Sequence, residues 1–297
     1  MVKTKDSPKL TKNPCSSCGK ERVVIKTYKE YVGNSLVINT LNEERNIADC
    51  INSASKWVDE IIVCDMHSED KTVELAQSLN AKIFYHDKWP GYDVAPARLY
   101  AITQASHKWV LVLDADEKLT DELGSKLQEI AKTGNVDAVS FASLFNYFGG
   151  YVYHGGFFNN KWTRFFKKQI YLDTYSEKEL VVHQNFSALY NLGKDRRLTL
   201  PHKYHILHNA YPTIEKYVVK TVDFYARIEA KQKFDLNEKF SIVKMLYDFI
   251  KTFLMSYFIR KGFLAGVRGI ILCLYYSVYR FNIWANLWFI EQQQKEK

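Results

Sequence analysis

From Ser35 to about Ala142 the chain alternates short apolar runs of strand composition with stretches of helical spacing, which confines it to a small set of folds. Residues 35–40, 60–64, 81–85, 109–113 and 138–142 read as strands. Residues 44–58, 71–79 and 96–105 read as helices, and another helix opens near Thr120 with Asp121 and Glu122 in its first turn. This repetition predicts an α/β domain built on a mostly parallel sheet with right-handed crossovers. Open sheets of that kind bind ligands beyond the carboxyl ends of their strands. Chemistry is therefore sought in the residues just after each run.

Three of those ends are polar and acidic. Thr40, Asn42 and Glu43 follow the first run, and Asp65, Ser68, Glu69 and Asp70 follow the second. The fourth run, Leu111-Val112-Leu113, leads straight into Asp114-Ala115-Asp116-Glu117. Paired acids at this spacing suit a hard divalent cation, which takes oxygen ligands and often shares them with substrate phosphates. Acids before a helix also suit its positive end without any ligand. Concentration after three successive strands favours a shared cleft over that plainer reading.

The chain has 297 residues, a formal net charge of +8 and 15% aromatic residues, with 20 Tyr and 18 Phe. Its apolar content of 47% excludes a disordered chain, and its charge suits nucleic acid, anionic lipid or phosphate-bearing substrates alike. The N-terminus is polar and lysine-rich, without the apolar core of a signal peptide. Cys50 and Cys64 fall in apolar-periodic segments and read as buried thiols, a reduced pattern rather than a disulfide framework. Cys15 and Cys18 form a Cys-x-x-Cys within a separate extension, residues 1–34, and no second pair follows to complete a zinc site. Free thiols, or half a site completed by a second copy of the chain, both remain open.

After Leu144 the periodicity becomes irregular, and from Ile214 it turns helical. We expect a catalytic domain over 35–210 and a helical region over 211–297. Within Phe253–Ile290, cations at Arg260, Lys261, Arg268 and Arg280 interrupt the aliphatic and aromatic residues. No uncharged run there approaches the roughly 20 residues that span a bilayer. The pattern predicts amphipathic helices on a membrane surface, with packing on the catalytic domain as the competing use of the same residues.

Val37 to Asn46, Trp57 to Asp65 and Leu113 to Glu117 together resemble family 2 glycosyltransferases, most nearly the subgroup of lipopolysaccharide core glucosyltransferases. The likeness continues through Asn146-Tyr147-Phe148, His154-Gly155-Gly156, Arg164-Phe165-Phe166-Lys167, Val182-His183, His208 to Glu215 and Gly262 to Gly269. It covers roughly Ser35–Trp288. It implies a GT-A-type domain that holds a nucleotide-diphosphate sugar, a UDP-sugar by preference, at the sheet edge. Glu43 and Asp65 would then contact the nucleoside, with Thr40 and Asn42 also among the donor-binding residues. Arg98 and Arg164 would lie at the diphosphate. Asp114 and Asp116 would hold Mn2+ or Mg2+ and the donor sugar. The implied partners are that donor, a saccharide or lipid-linked acceptor in cell-envelope glycan synthesis, and the inner face of the cell membrane on the cytoplasmic side. A homo-oligomer stays open and no nucleic acid is expected.

Inverting transfer needs a base for the acceptor hydroxyl. The subgroup shows Val-His-Glu where this chain has Val182-His183-Gln184, and glutamine cannot take a proton. Glu177, Glu179, His183 and Glu117 are the candidates, with Glu117 and Asp116 beside the metal motif. His154, His202, His205 and His208 do not have zinc spacing. A nucleotidyltransferase is disfavoured because the loop after the first strand, Thr40 to Glu44, has no glycine for phosphates to approach. A catalytically degenerate scaffold that binds membrane or nucleic acid is the alternative that the missing carboxylate supports.

Overall fold

The computed structural model describes residues 11–14, 21–24, 31–87, 95–158, 160–174 and 186–295. Cys15, Cys18, Glu177, Glu179, His183 and Gln184 lie outside the described residues. The strands are β1 (Thr11–Pro14), β2 (Glu21–Val24), β3 (Tyr31–Thr40), β4 (Glu60–Asp65), β5 (Lys82–Tyr85), β6 (His107–Asp114), β7 (Glu117–Leu119), β8 (Ala138–Tyr147), β9 (Gly150–Tyr151), β10 (Lys161–Lys167), β11 (Arg197–Thr199) and β12 (His205–Tyr211). The helices are α1 (Ile47–Ala54), α2 (Thr72–Ser78), α3 (Ala95–Gln104), α4 (Asp121–Thr133), α5 (Lys168–Thr174), α6 (Ser187–Tyr190), α7 (Ile214–Tyr217), α8 (Ala226–Asp235), α9 (Ile242–Leu254) and α10 (Gly266–Lys295). Strands and helices alternate through the first half as the periodicity requires.

The chain forms two compact units. The first contains residues 1–115, 125–140 and 163–198. Its strands run in the order β5-β4-β3-β6-β10, with the first four parallel and β10 antiparallel to β6. The sheet is therefore mixed, because β10 returns beside β6. Leu36, Val37, Ile38, Ile62, Val63 and Val110 to Leu113 are fully or almost fully buried, which is why these strands read as continuous apolar runs rather than alternating ones. α3 contributes Ala97, Ala101 and Ile102 to the same core, with Ala105 just past its end. Cys50 and Cys64 are buried thiols, as their apolar surroundings predict. Burial and the neighbouring Asp65 charge push the Cys64 thiol up to about 12.

The second unit contains residues 116–124, 141–162 and 199–297. In it β12 lies between β8 on its parallel side and β7 on its antiparallel side, with His208 opposite Glu117. Its core is aromatic: Tyr147 stacks on Tyr211 at 5.3 Å and meets Tyr217 edge-on at 6.0 Å. The helices close around Leu272, Ile283, Trp284 and Leu287 of α10. α9 starts at Ser241, whose hydroxyl accepts from the Lys244 N–H.

The C-terminal cations do not break the last helix into pieces. α10 is one helix of 30 residues, about 45 Å long. With the turn before it, Gly262–Lys295 is long and apolar enough to cross a membrane by length and composition alone, while a third of its most apolar window is buried in the fold. Arg280 is accommodated inside the bundle, 3.6 Å from Glu229 and 3.5 Å from Asp248.

Candidate active site

Parallel pairing levels the carboxyl ends of the first unit's strands. Thr40 lies opposite Asp65, and Asn39 lies opposite Asp114. The sequence produces this arrangement because each apolar run ends at its first polar residue, so burial stops at the same height on each strand.

Two loops beyond β3 and β4 are tied together at those ends. The Asn42 N–H donates to Ser68 Oγ, and the Glu69 N–H donates to Asn42 Oδ1, both at 2.8 Å. The Glu43 N–H donates to Thr72 Oγ1 at 2.8 Å, and the Glu43 carboxylate accepts from Asn46 Nδ2 at 2.6 Å. Asn42 has φ of 55°, a left-handed conformation that asparagine tolerates better than most residues. Asp65 is fully buried and accepts from both the N–H and the hydroxyl of Ser68. It is thus fixed in one orientation.

Asp114 is gripped by two guanidiniums. Arg98 Nη2 of α3 donates to Oδ1 at 2.5 Å, and Arg164 Nη2 of β10 donates to Oδ2 at 3.1 Å. Arg98 and Arg164 are largely buried, whereas the Asp114 side chain stays about a third exposed. Among the described residues no hydrogen-bond partner meets the buried Arg98 Nε on α3 or the buried Thr40 Oγ1 at the end of β3, and native interiors seldom leave such groups unsatisfied.

The second unit holds another acidic cluster. His208 on β12 places Nε2 3.2 Å from Asp116 Oδ1 and Nδ1 3.3 Å from Glu117 Oε1. Its ring stacks on Phe145 at 4.7 Å, and the neighbouring Asn209 N–H donates to the Asp116 carbonyl at 2.8 Å. Glu117 is completely buried on β7. It faces the imidazole, so this carboxylate, considered from sequence as a base, is engaged with His208. The pairing of His208 with these acids has no local signal, because it joins segments far apart in the chain.

The described residues contain no group of three or more His, Cys, Asp or Glu side chains assembled around a common metal position. Asp114 offers a cation little, since both its oxygens already accept from arginine. Asp116 and His208 fit better, as one oxygen and one nitrogen donor. A carboxylate behind the far ring nitrogen, here Glu117, is the usual support of a metal-binding histidine.

The glycosyl transferase family 2 profile matches residues 35–192. An uncharacterised glycosyltransferase of Rickettsia typhi is 31% identical over 263 residues, covering 85% of this chain and 86% of the relative. A lipopolysaccharide core biosynthesis glycosyltransferase of Rhizobium meliloti is 26% identical over 259 residues, covering 86% and 91%. Among solved structures, glucosyl-3-phosphoglycerate synthase from Mycobacterium tuberculosis, in complex with Mn2+, UDP-glucose and phosphoglyceric acid, is similar over 67% of this chain and 78% of its own, at 18% identity and a TM-score of 0.47. Strand-end acids on an α/β sheet, the family profile and a glycosyltransferase relative matched over about 85% of both chains define a sugar-transferring enzyme. The chain belongs to glycosyl transferase family 2.

Proposed function

We propose that this glycosyltransferase takes a UDP-sugar and transfers the sugar, with inversion, to a saccharide or lipid-linked acceptor in cell-envelope glycan synthesis, at the inner face of the membrane. The observation that carries the donor assignment is the gathering of Thr40, Asp65 and Asp114 at adjacent strand ends, with Arg98 and Arg164 both on Asp114. Fixed carboxylates suit the hydroxyls and ring N–H groups of a nucleoside, and guanidiniums suit a diphosphate bidentately. Likeness to the rhizobial enzyme along most of both chains supports a saccharide acceptor.

In the reaction the bond from the anomeric carbon to the diphosphate oxygen breaks as the acceptor oxygen bonds to the opposite face. The acceptor hydroxyl gives its proton to a base, and the nucleotide leaves as its diphosphate. Arg98 and Arg164 lower the cost of the charge that develops on that diphosphate. Asp116 and His208 would hold Mn2+ or Mg2+, which would supply Lewis-acid stabilisation of developing negative charge. Glu117 keeps the His208 ring oriented with Nε2 turned toward Asp116. Glu179 and His183 are the candidates for the base.

Thermal unfolding with UDP, GDP, ADP and CMP, each with and without Mn2+, tests this reading. UDP at 100 times its dissociation constant should stabilise the fold by about 2.7 kcal/mol. That shift should need the cation and disappear in Asp116→Ala. Stabilisation by none of the nucleotides would overturn the donor site.

A further inference from the structure

The C-terminal helices leave one apolar face uncovered. α9 turns its inner side to α10, where Trp284 Nε1 donates to Asp248 at 2.8 Å. Its outer side exposes Val243, Leu246, Ile250 and Leu254, spaced along one stripe. The apolar surface continues around the turn into α10 through Phe258, Leu264 and Val267, of which Val267 is 75% exposed. Soluble monomers rarely leave so continuous an apolar patch in water.

The charges beside this face have one sign. Between Lys239 and Ile290 the sequence has seven lysines and arginines and a single carboxylate, Asp248. That carboxylate is engaged inward by Trp284 and Arg280. A cavity of about 230 Å³ opens between α9 and α10, lined by Lys251, Thr252, Ser256, Arg260, Tyr276 and Arg280, with Asp248 and Met255 completing the wall. Three cations with hydroxyl groups between them are the chemistry of a phosphate site. Its volume is below that of pockets for whole drug-sized ligands. Apolar stripe, basic surround and phosphate-sized cavity all occur on the same pair of helices.

We propose that α9 and the turn into α10 lie in the plane of an anionic bilayer, with the apolar stripe at the acyl boundary and a phospholipid phosphate in the Lys251/Arg260/Arg280 cavity. The length of α10 alone would suit a spanning helix, but its packing argues for the in-plane arrangement. Leu272, Ile283 and Leu287 are fully buried against protein, and Arg280 is ion-paired to Glu229 and Asp248 of neighbouring helices. Spanning would strip both from the fold, whereas in-plane binding uses only surface already exposed. The inference deepens the proposed function by naming the surface that brings a lipid-linked acceptor to the enzyme. Its residues are separate from those assigned to the donor.

Flotation of the full-length chain with vesicles tests it, using phosphatidylcholine alone and phosphatidylcholine mixed equally with phosphatidylglycerol. The wild type should float with the anionic vesicles and much less with the neutral ones. Leu246→Glu with Ile250→Glu should abolish flotation, and Lys251→Gln with Arg260→Gln should reduce anionic partitioning by roughly tenfold or more. Lys132→Gln on α4 removes a charge of the first unit and should float as the wild type does. Circular dichroism of each variant separates lost binding from lost folding, and these exposed positions should leave the fold intact. Unchanged partitioning in Lys251→Gln/Arg260→Gln would overturn the phosphate site, and equal flotation with both vesicle types would overturn the anionic preference. No flotation of the wild type, or full flotation of Leu246→Glu/Ile250→Glu, would overturn the membrane face. Because nucleotide-induced stabilisation is read without vesicles, either result stands apart from success or failure of the donor assignment.

Discussion

His208 Nε2 lies 3.2 Å from Asp116 Oδ1, while the opposite ring nitrogen faces the buried Glu117 carboxylate at 3.3 Å. The imidazole is thus held by the pairing of β12 with β7, in which His208 and Glu117 are direct partners. Glu117→Gln keeps the size of the side chain and removes the charge that fixes the tautomer. It should raise the Mn2+ concentration needed for half-maximal transfer by 10- to 100-fold, as loss of an outer partner typically does. A metal titration of activity checks this. An unchanged midpoint would assign Glu117 to packing alone.

Asp114 neutralises Arg98 and Arg164 together, so Asp114→Asn should leave two largely buried cations facing each other. Breaking a buried pair costs about 3–5 kcal/mol, and the partial exposure of Asp114 reduces this to about 2 kcal/mol. UDP brings its own negative charge to the guanidiniums and should restore part of the lost stability while turnover stays abolished. Thermal unfolding with and without UDP, beside an activity assay, distinguishes this outcome from simple misfolding.

Much of the first unit is legible in the sequence, and the reason is physical. Strands buried on both faces must be apolar throughout, so β4 and β6 announce both their existence and their ends at Asp65 and Asp114. The parallel order follows from the intervening helices, and the level strand ends follow from that. Long-range pairing is not legible in the same way. Nothing near His208 shows that it will meet Asp116, and nothing near Arg164 shows that β10 will run back beside β6. The cations within α10 mislead for another reason: Arg280 suggests an interruption until Glu229 and Asp248, on other helices, supply its counter-charges.

Glu60 gives the fold an acid-sensitive joint. Burial alone would push its carboxyl up, but hydrogen bonds from Lys82, from the N–H and hydroxyl of Ser106 and from Ser35 outweigh that and hold it at about 2, below its ordinary 4.5. A carboxyl lowered on folding stabilises the protein fully above its unfolded value, and that stability is lost as pH falls from about 4.5 toward about 2. The shift corresponds to about 3 kcal/mol, which the exposure of Lys82 reduces to about 2 kcal/mol. Glu60→Gln should therefore be less stable than the wild type by about 2 kcal/mol at pH 7, with the gap closing below pH 4. Urea unfolding across that range measures it, and a constant gap would assign the effect to hydrogen-bond geometry instead of charge.

Gly262 and Gly269 bring the turn before α10 against the helix itself. A Cβ built at Gly269 would overlap the Gly262 carbonyl oxygen and crowd Ala265, and one at Gly262 would meet the Ser256 carbonyl and Cys273 Sγ at 2.7 Å. The neighbours at Gly269 are mainly backbone, so no side-chain rotation relieves the overlap. Gly269→Ala should cost about 1–3 kcal/mol, the range for overpacking a close-packed interior, despite the better helix propensity of alanine. The loss should appear in unfolding of the second unit, whose core α10 organises. Limited proteolysis reads the two units apart: early cleavage confined to the C-terminal helices is the expected result. Wild-type resistance in the variant would mean that the turn can move aside, and that close backbone approach is not what holds α10 in place.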